Sequence, residues 1–216
     1  MMGQAGSQAD PTAGSIVETA LRLLRDEGSE ALSFRRIAAA LGISHTTVHR
    51  HCVNFGRLLD LCADELAGQL PDIDPNLPWP EQTERRFTAL YDMWAANAAL
   101  LALRRGQPWW VPNMLTRFAE PAMAAALRIG MSPEQALQAI RQLYLFTYGC
   151  SSTHATYTAR QARSLLAALE PDEFPVLTSN MDLIVSGAPE RDVFTQGLRT
   201  LISAAEAAAR APFAST

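Results

Sequence analysis

SFRRIAAALGISHTTVHRH, residues 33–51, is the stretch of this chain in which helix signals lie closest together. Ser33 can cap a helix, because its hydroxyl can accept a hydrogen bond from a backbone amide of the first turn. Apolar side chains then recur at intervals of three and four residues, at Phe34, Ile37, Ala38 and Leu41. Gly42 breaks this helix, and Ser44 can cap another helix two residues later. The spacing predicts two helices joined by a tight turn, which is the helix-turn-helix arrangement.

The second helix of this pair has an apolar side and a polar side. Ile43 and Val48 are spaced for a hydrophobic staple across the cap, so Val48 and Cys52 should point inward. The opposite side carries hydroxyl, imidazole and guanidinium groups, which suit phosphates and base edges. These outward residues are His45, Thr46, Thr47, His49 and Arg50. We interpret the helix as a recognition helix for the DNA major groove, with a solvated helix face as the simpler alternative.

The charge of the chain supports this interpretation only locally. The formal net charge is −4, whereas phosphate neutralisation supplies much of the affinity of proteins for nucleic acids. Residues 31–59, however, contain four arginines and three of the four histidines, and they contain no aspartate or glutamate. All 18 basic residues of the chain are arginine, so arginine usage alone does not indicate selection for phosphate contacts. The acid-free window is the part of the chain suited to approach DNA.

The same histidines allow a different interpretation. His45 and His49 are four residues apart on one side of a helix and could chelate a metal, which would make the protein an all-α metal-binding carrier or enzyme. His51 and Cys52 lie on different sides of that helix, and no carboxylate is near in sequence. The chain has no glycine-rich phosphate loop, no Gly-x-Ser-x-Gly elbow and no His-Glu-x-x-His motif. We therefore predict that the protein is not an enzyme and has no catalytic residue, metal ligand or cofactor.

The domain organisation follows from helix and proline signals. Residues 1–14 lack periodicity and are predicted to form a disordered leader. A helix-turn-helix DNA-binding domain should occupy residues 15–60, beginning at a capping box that starts with Ser15, with a connecting helix to about residue 70. Four prolines within residues 71–80 predict a linker, because a helix interior does not tolerate proline. Residues 81–216 should form a regulatory and dimerisation domain.

The second domain is also predicted to be helical, so the fold class is all-α. Helical patterns cover about 81–100, 108–129, 133–160 and 190–210, and no segment shows the alternation of a strand. No run of apolar residues is long enough to span a membrane, and no secretion signal is evident, so we expect a cytoplasmic protein without a membrane partner. The cysteines Cys52, Cys62 and Cys150 follow no disulfide or metal spacing and are predicted to be reduced thiols in helix packing.

The helical second domain gathers aromatic, methionine and small polar side chains that could line a ligand pocket. Each aromatic or methionine residue alone is more often part of a core. The candidate ligand-binding residues are Trp94, Trp109, Trp110, Met114, Phe118, Tyr144, Tyr148, Ser151 and His154. The last helix carries small residues at Gly197, Ala204 and 207–209, which permit close helix approach. With the helix at 133–160 it fits a four-helix dimer interface, and a buried monomeric core is the alternative.

Residues 16–67 resemble the TetR family of bacterial transcriptional regulators. The residues that carry the resemblance are Ile16-Val17, Ala20, Leu23-Leu24, Glu27-Gly28, Ala31-Leu32-Ser33, Arg36-Ile37-Ala38, Leu41-Gly42-Ile43-Ser44, Val48, His51 and Leu58-Leu59. The resemblance implies an all-α homodimer whose N-terminal three-helix domain binds operator DNA and whose C-terminal domain senses a small molecule. It also places Arg35 and His51 among the DNA contacts, together with Ser44 at the start of the recognition helix.

The function implied is that of a repressor released from a palindromic operator by a small apolar or amphipathic effector. Its partners would be double-stranded operator DNA, the effector and a second copy of the chain. The family usually has Tyr where His49 stands and often Lys where Phe55 stands, and both of those residues contact phosphate. The operator contacts at these two positions are therefore expected to differ.

Overall fold

The computed structural model describes residues 13–152, 159–186 and 190–210. Its helices, in chain order, are α1 (Ala13–Glu27), α2 (Phe34–Leu41), α3 (His45–Cys52), α4 (Phe55–Gly68), α5 (Trp79–Ala96), α6 (Ala98–Leu103), α7 (Pro112–Met114), α8 (Glu120–Arg128), α9 (Pro133–Ser152), α10 (Ala159–Ala167), α11 (Pro175–Ser179), α12 (Met181–Ser186) and α13 (Glu190–Arg210). A 3₁₀ turn forms at Ser29–Ala31, and a π-helical turn at Leu115–Ala119 joins α7 to α8. The described ranges contain no strand, and the all-α fold class is confirmed.

Side-chain caps begin the helices of the N-terminal domain where the sequence predicts them. The Ser33 Oγ accepts a hydrogen bond from the Arg36 amide at 3.2 Å, and the Ser44 Oγ accepts one from the Thr47 amide at 3.1 Å. Gly42 ends α2 with a φ of 68° and a ψ of 30°, a left-handed conformation that glycine adopts without steric penalty. The predicted helix-turn-helix of α2 and α3 is therefore confirmed in its backbone.

The N-terminal core forms where the apolar sides of α1 to α4 meet. Val48 and Cys52 of α3 are fully buried, as the predicted staple requires, and they pack with Ile16 of α1 and Leu58 of α4 in one cluster. Cys62 is also fully buried, and its burial raises the pKa of its thiol to about 12. Cys52 and Cys62 are buried in helix packing, and Cys150 is half-buried on α9.

Two predicted boundaries differ from the structure. The first helix begins at Ala13, so Ser15 lies inside its first turn, and the final two residues of the predicted leader are helical. The rest of that leader lies outside the described residues. The predicted linker 71–80 ends early, because α5 begins at Trp79 and places Pro80 in its first turn. Proline is tolerated there, since its missing N–H has no partner within the first turn of a helix.

The C-terminal domain is built around α5, α9 and α13, which pack against one another. Its aromatic core contains a stack of three rings: Phe194 lies 4.2 Å from Tyr91 and 5.9 Å from Phe146, ring centroid to ring centroid, at an interplanar angle of 14° in both cases. Ion pairs join α5 to α13 outside this stack, including one between Arg199 and Glu84 with an N–O distance of 2.8 Å. The last helix is therefore part of the monomer core as well as of its surface.

Gly197 lets α9 and α13 approach closely at this stack. A Cβ atom placed on Gly197 would lie 2.3 Å from Cζ of Phe146 and within about 3 Å of two further atoms of the same ring. The absence of a side chain at Gly197 makes room for Phe146 of the same chain, so at this residue the structure supports the alternative of a buried monomeric core. Ala204, Ala207 and Ala208 are exposed, whereas Ala209 is half-buried.

The predicted helical pattern at 190–210 coincides with α13, whereas the other patterns of the second domain are found with different bounds. The pattern at 81–100 divides into α5 and α6, and α9 is described only to Ser152. The short helices α11 and α12 have no counterpart in the sequence interpretation, because each is too short to show periodicity. No helix of the described ranges is both long and apolar enough to cross a lipid bilayer.

Candidate DNA interface and effector cavity

The recognition helix α3 presents most of its predicted DNA contacts to solvent. His45, Thr46, His49 and Arg50 are exposed, and Thr47 is half-buried. The hydroxyl oxygens of Ser44 and Thr47 lie 2.8 Å apart, and the Ser44 hydroxyl also caps the helix. These two hydroxyls are thus engaged in holding the start of α3, which leaves the centre of the exposed face to Thr46 and Arg50.

An aromatic cluster positions the two exposed histidines. The ring of Phe34, at the start of α2, lies 5.9 Å from the ring of His45 and 5.8 Å from the ring of His49, centroid to centroid. Phe55, at the start of α4, joins the cluster with its centroid 6.4 Å from that of Phe34. Packing on Phe34 restricts the imidazoles to a few orientations, which lowers the entropy that they would lose on contacting DNA.

This arrangement does not favour the metal-binding alternative. The His45 and His49 ring centroids are 6.4 Å apart and both rings lie against Phe34. In the part of the chain that the structure describes, no group of three or more His, Cys, Asp or Glu side chains could hold a metal ion.

His51 and Arg35 differ from each other in their access to DNA. Arg35 is exposed on α2, whereas its neighbour Arg36 forms an ion pair with Glu27. His51 is half-buried, and its Nε2 is covered and without a hydrogen-bond partner among the described residues. Of the two ring nitrogens of His51, Nε2 therefore cannot reach a phosphate in this conformation.

The turn between α3 and α4 contains a strained residue. Val53 has a φ of 60° and a ψ of −56°, and the Asn54 amide donates to the Cys52 carbonyl at 2.6 Å across it. This is a γ-turn with a positive φ, which is unfavourable for a β-branched side chain. Val53 is 61% exposed, so packing of its side chain offsets little of the strain. The Asn54 side chain then caps α4 by accepting from the Arg57 amide at 2.8 Å.

A cavity of about 590 Å³ lies between the π-helical segment, α8 and α9. Five of the predicted ligand-binding residues line it, namely Trp109, Trp110, Met114, Phe118 and Tyr144. Met123, Leu137 and Ile140 add to its apolar wall. Trp110 is 80% exposed, and Met114 and Phe118 are buried. Its size and lining are typical of sites for small apolar ligands.

The other predicted ligand-binding residues lie apart from this cavity. Trp94 is fully buried behind its wall, with its ring centroid 5.6 Å from that of Trp109 and 5.1 Å from that of Tyr144. Tyr148 does not line the cavity and packs edge-on against Trp94, with ring centroids 5.6 Å apart. Ser151 is fully buried and donates its hydroxyl hydrogen to the Thr147 carbonyl at 2.8 Å. His154 lies outside the described residues.

Sequence reasoning missed the charged residue of the cavity. Arg141 of α9 lines it and is exposed. The helical spacing of Leu137, Arg141 and Leu145 places all three on one side of α9. This row of residues could have indicated from the sequence that Arg141 lies beside apolar groups. The signal is weak, because a charge between two leucines is also common on an ordinary helix surface.

Two residues that neighbour the cavity lining, Arg104 and Asn113, are hydrogen-bonded to α4, the helix that leads out of the DNA-binding domain. Arg104 is only 2% exposed, and its guanidinium lies 2.5 Å from an Asp60 oxygen of α4 and 5.4 Å from the ring centroid of Trp109. The same guanidinium donates to the Pro108 carbonyl at 3.0 Å. A second connection runs from α7, where the Asn113 amide donates to the Asp64 carboxylate of α4 at 2.7 Å. Both contacts span more than 40 residues of sequence.

The fold and these two regions define a class of protein: a helix-turn-helix DNA-binding regulator with a helical regulatory domain. Two family models match the chain, "Bacterial regulatory proteins, tetR family" at residues 16–52 and "Tetracyclin repressor-like, C-terminal domain" at residues 70–208. The chain belongs to the TetR family of transcriptional regulators. That family consists of DNA-binding regulators rather than enzymes.

Several known proteins are similar to this chain over most of its length. The crystal structure of the TetR family protein ActR from Streptomyces coelicolor in complex with actinorhodin matches with a TM-score of 0.79 and 27% identity, over 94% of this chain and 100% of that chain. Tetracycline repressor protein class D from Escherichia coli is 28% identical over 87% of this chain and 86% of its own length. The HTH-type transcriptional repressor DrrR1 from Streptomyces coeruleorubidus is 23% identical over 93% of this chain and 79% of its own length.

Proposed function

We propose that this protein is a cytoplasmic repressor that binds a palindromic operator as a homodimer and is released by an apolar or amphipathic small molecule in the cavity of about 590 Å³. The observation that carries the proposal is the pair of part-buried contacts that join Arg104 and Asn113, which neighbour the cavity lining, to α4. A ligand that moves Trp109 or α7 must strain or shift these contacts. Such a shift would reach α3 because α4 packs against both α1 and α3.

The DNA-binding part of the proposal rests on the exposed side of α3. Thr46 and Arg50 would contact base edges, and His45, His49 and Arg35 would contact phosphates or neighbouring bases. In a two-fold dimer the two recognition helices would enter successive major grooves about one turn, roughly 34 Å, apart or slightly further. The operator should therefore be an imperfect palindrome. Two of the similar proteins carry the word repressor in their names, which supports repression over activation.

Dimerisation would use the exposed side of α9 that carries Gly149, which lies about 80° around the helix from the cavity residue Arg141, and the exposed side of α13 that carries Thr200 and Ala204. Small exposed side chains let helices of two subunits approach closely. Introducing a long charged side chain by Ala204→Arg should convert dimers to monomers in sedimentation velocity. Ala102→Arg, at an exposed position on α6, is the matched control and should remain dimeric. Monomeric wild-type protein at micromolar concentration would argue against the homodimer.

The operator can be found by selecting genomic DNA fragments with the purified protein and footprinting the bound sites. We expect two half-sites whose centres lie about one helical turn or slightly more apart. Fragments bound without any shared palindrome would contradict the operator proposal. The same fragments then serve to measure release.

Release can be tested with a screen that does not require the effector to be identified first. Ala119→Phe places a bulky ring in the cavity and should prevent ligands from binding there. Thermal shift measurements on a small-molecule library then select the compounds that bind the wild type but do not bind this variant. These compounds should lower operator affinity, and bound operator should lower their affinity by the same factor, because the coupling is reciprocal. Cavity binders that leave operator affinity unchanged would show that the cavity does not control DNA binding.

The contacts to α4 can be tested separately from binding. Asp64→Ala removes the acceptor of the Asn113 amide and should weaken ligand-induced release while leaving operator affinity in the absence of ligand close to that of the wild type. Glu65→Ala removes an adjacent acid whose carboxylate is exposed and is the matched control. Equal release by the two variants would exclude this contact from the coupling.

A further inference from the structure

We infer that the effector is an anion, with an acidic group attached to an aromatic or otherwise apolar body, and that Arg141 binds the acidic group. The inference rests on the proposed function, in that it takes the cavity of α8 and α9 as the effector site. It adds the chemical class of the ligand and the residue that selects it.

The lining of the cavity contains a single charged side chain. Among the described residues that line it, Arg141 is the only ionisable cation, and none is an aspartate or glutamate. Tyr144 is the other residue with an acidic proton, and burial raises the pKa of its hydroxyl to about 12. This hydroxyl therefore stays neutral at physiological pH. The charge of the cavity is that of the Arg141 guanidinium.

Arg141 also differs from most arginines of the C-terminal domain in its partners. The carboxylate partners of Arg85, Arg117 and Arg163 lie within 2.6–3.3 Å. Arg191, Arg199 and Arg210 likewise form ion pairs with carboxylates. Arg141 has no such partner within residues 13–152, 159–186 and 190–210. Its five N–H donors are thus available to a ligand.

The surroundings of Arg141 determine what kind of ligand it selects. Leu137 and Leu145 lie one turn before and one turn after it on α9, and they are 60% and 57% exposed. An apolar ligand that covered these leucines would displace water from the guanidinium between them. A neutral ligand would leave that cation partly desolvated without a partner, which opposes binding. An anion would replace the lost water with charge-assisted hydrogen bonds, two of them when the acidic group is a carboxylate or sulfonate.

The test uses two fluorescent probes that share one apolar skeleton. 8-Anilinonaphthalene-1-sulfonate carries a sulfonate, and N-phenyl-1-naphthylamine is the same molecule without it. Titration of the full-length wild-type protein should give a lower Kd for the sulfonate than for the neutral probe. Arg141→Gln should raise the Kd of the sulfonate by about tenfold or more and change that of the neutral probe by less than about twofold. Arg141→Lys, which keeps the charge but not the two-pronged geometry, should lie between.

Two controls make the result specific. Arg160→Gln removes one positive charge from α10, outside the cavity lining, and should leave both Kd values unchanged. Ala119→Phe should weaken both probes, because it reduces the cavity volume. Equal Kd values of the two probes in the wild type, or an equal effect of Arg141→Gln on both, would overturn the inference.

The failure of the inference can be distinguished from a failure of the proposed function. If Ala119→Phe weakens both probes but Arg141→Gln does not discriminate between them, the cavity binds ligands and the selection for anions is wrong. If Ala119→Phe has no effect on either probe, these probes do not occupy the cavity, and the inference is overturned on that ground. Control of DNA binding by the cavity is measured separately, by release from the operator.

Discussion

The helix-turn-helix and the cavity between the π-helical segment, α8 and α9 differ in how far apart their parts lie in the sequence. The helix-turn-helix is complete within residues 33–52, and its caps form between residues three positions apart. The cavity brings together residues from 109 to 145, and its connection to α4 spans more than 40 residues. Short-range interactions thus define the first region, whereas the packing of separate helices defines the second. Perturbing each region should reveal this difference.

The largest effect should come from the close approach of α9 and α13. Gly197→Ala would bring a methyl group into the Phe146 ring, which cannot turn aside easily because it is stacked on Phe194. Overpacking of this kind costs about 3 kcal/mol of unfolding free energy. Chemical denaturation followed by circular dichroism measures it. Gly56→Ala in α4 is the control, since a Cβ there meets only the Asn54 side chain at 3.4 Å, an ordinary contact, and it should be neutral or stabilising by up to about 1 kcal/mol. If the two variants had equal stability, the space between Gly197 and Phe146 would be large enough for a methyl group.

The next largest effect is on operator binding and should leave the fold unchanged. Arg50→Ala removes an exposed guanidinium from the centre of the α3 face and should lower operator affinity by about tenfold to a hundredfold, or about 1–3 kcal/mol. Helicity and dimerisation should not change, because the side chain does not support the core. A gel-shift titration at fixed salt provides the measurement, with Arg160→Ala on α10 as control. Wild-type affinity in the Arg50 variant would remove this residue from the interface.

The local caps of the recognition helix should have a smaller effect. Ser44→Ala removes the acceptor for the Thr47 amide and should reduce stability by about 1 kcal/mol, with a parallel loss of operator affinity. Ser44→Gly should lose only a few tenths of a kcal/mol, because glycine leaves the helix end accessible to water. Thermal unfolding of both variants tests this order. If the alanine variant were as stable as the wild type, the start of α3 would depend on tertiary packing rather than on its cap.

The smallest expected change is a gain in stability at the γ-turn. Val53→Gly removes the Cβ that makes a φ of 60° unfavourable, and it should stabilise the protein by about 1 kcal/mol or less after the larger chain entropy of unfolded glycine is included. Val53→Ala retains the Cβ and should gain less. Denaturation midpoints compare the two. A destabilised glycine variant would indicate that Val53 makes a favourable contact that outweighs its backbone strain.

The accuracy of the sequence interpretation followed the same division between short-range and long-range structure. The caps at Ser33 and Ser44, the turn at Gly42 and the inward side of α3 were predicted correctly, because each depends on residues a few positions apart. The covered Nε2 of His51 was not foreseen, since its surroundings come from other helices. The same applies to the cluster around Phe34, to which α2, α3 and α4 each contribute a ring.

The sequence by itself determined a helix-turn-helix with Thr46 and Arg50 at the centre of its exposed side, because helix periodicity and capping are properties of neighbouring residues. It also determined an all-α second domain rich in aromatic side chains. Only the tertiary structure decided which aromatic residues face a cavity and which, like Trp94, lie behind its wall. It also revealed that Gly197 accommodates Phe146 and that Arg104 connects the wall to Asp60. These outcomes depend on how separate helices meet in space, and the periodicity of a single helix does not contain that information.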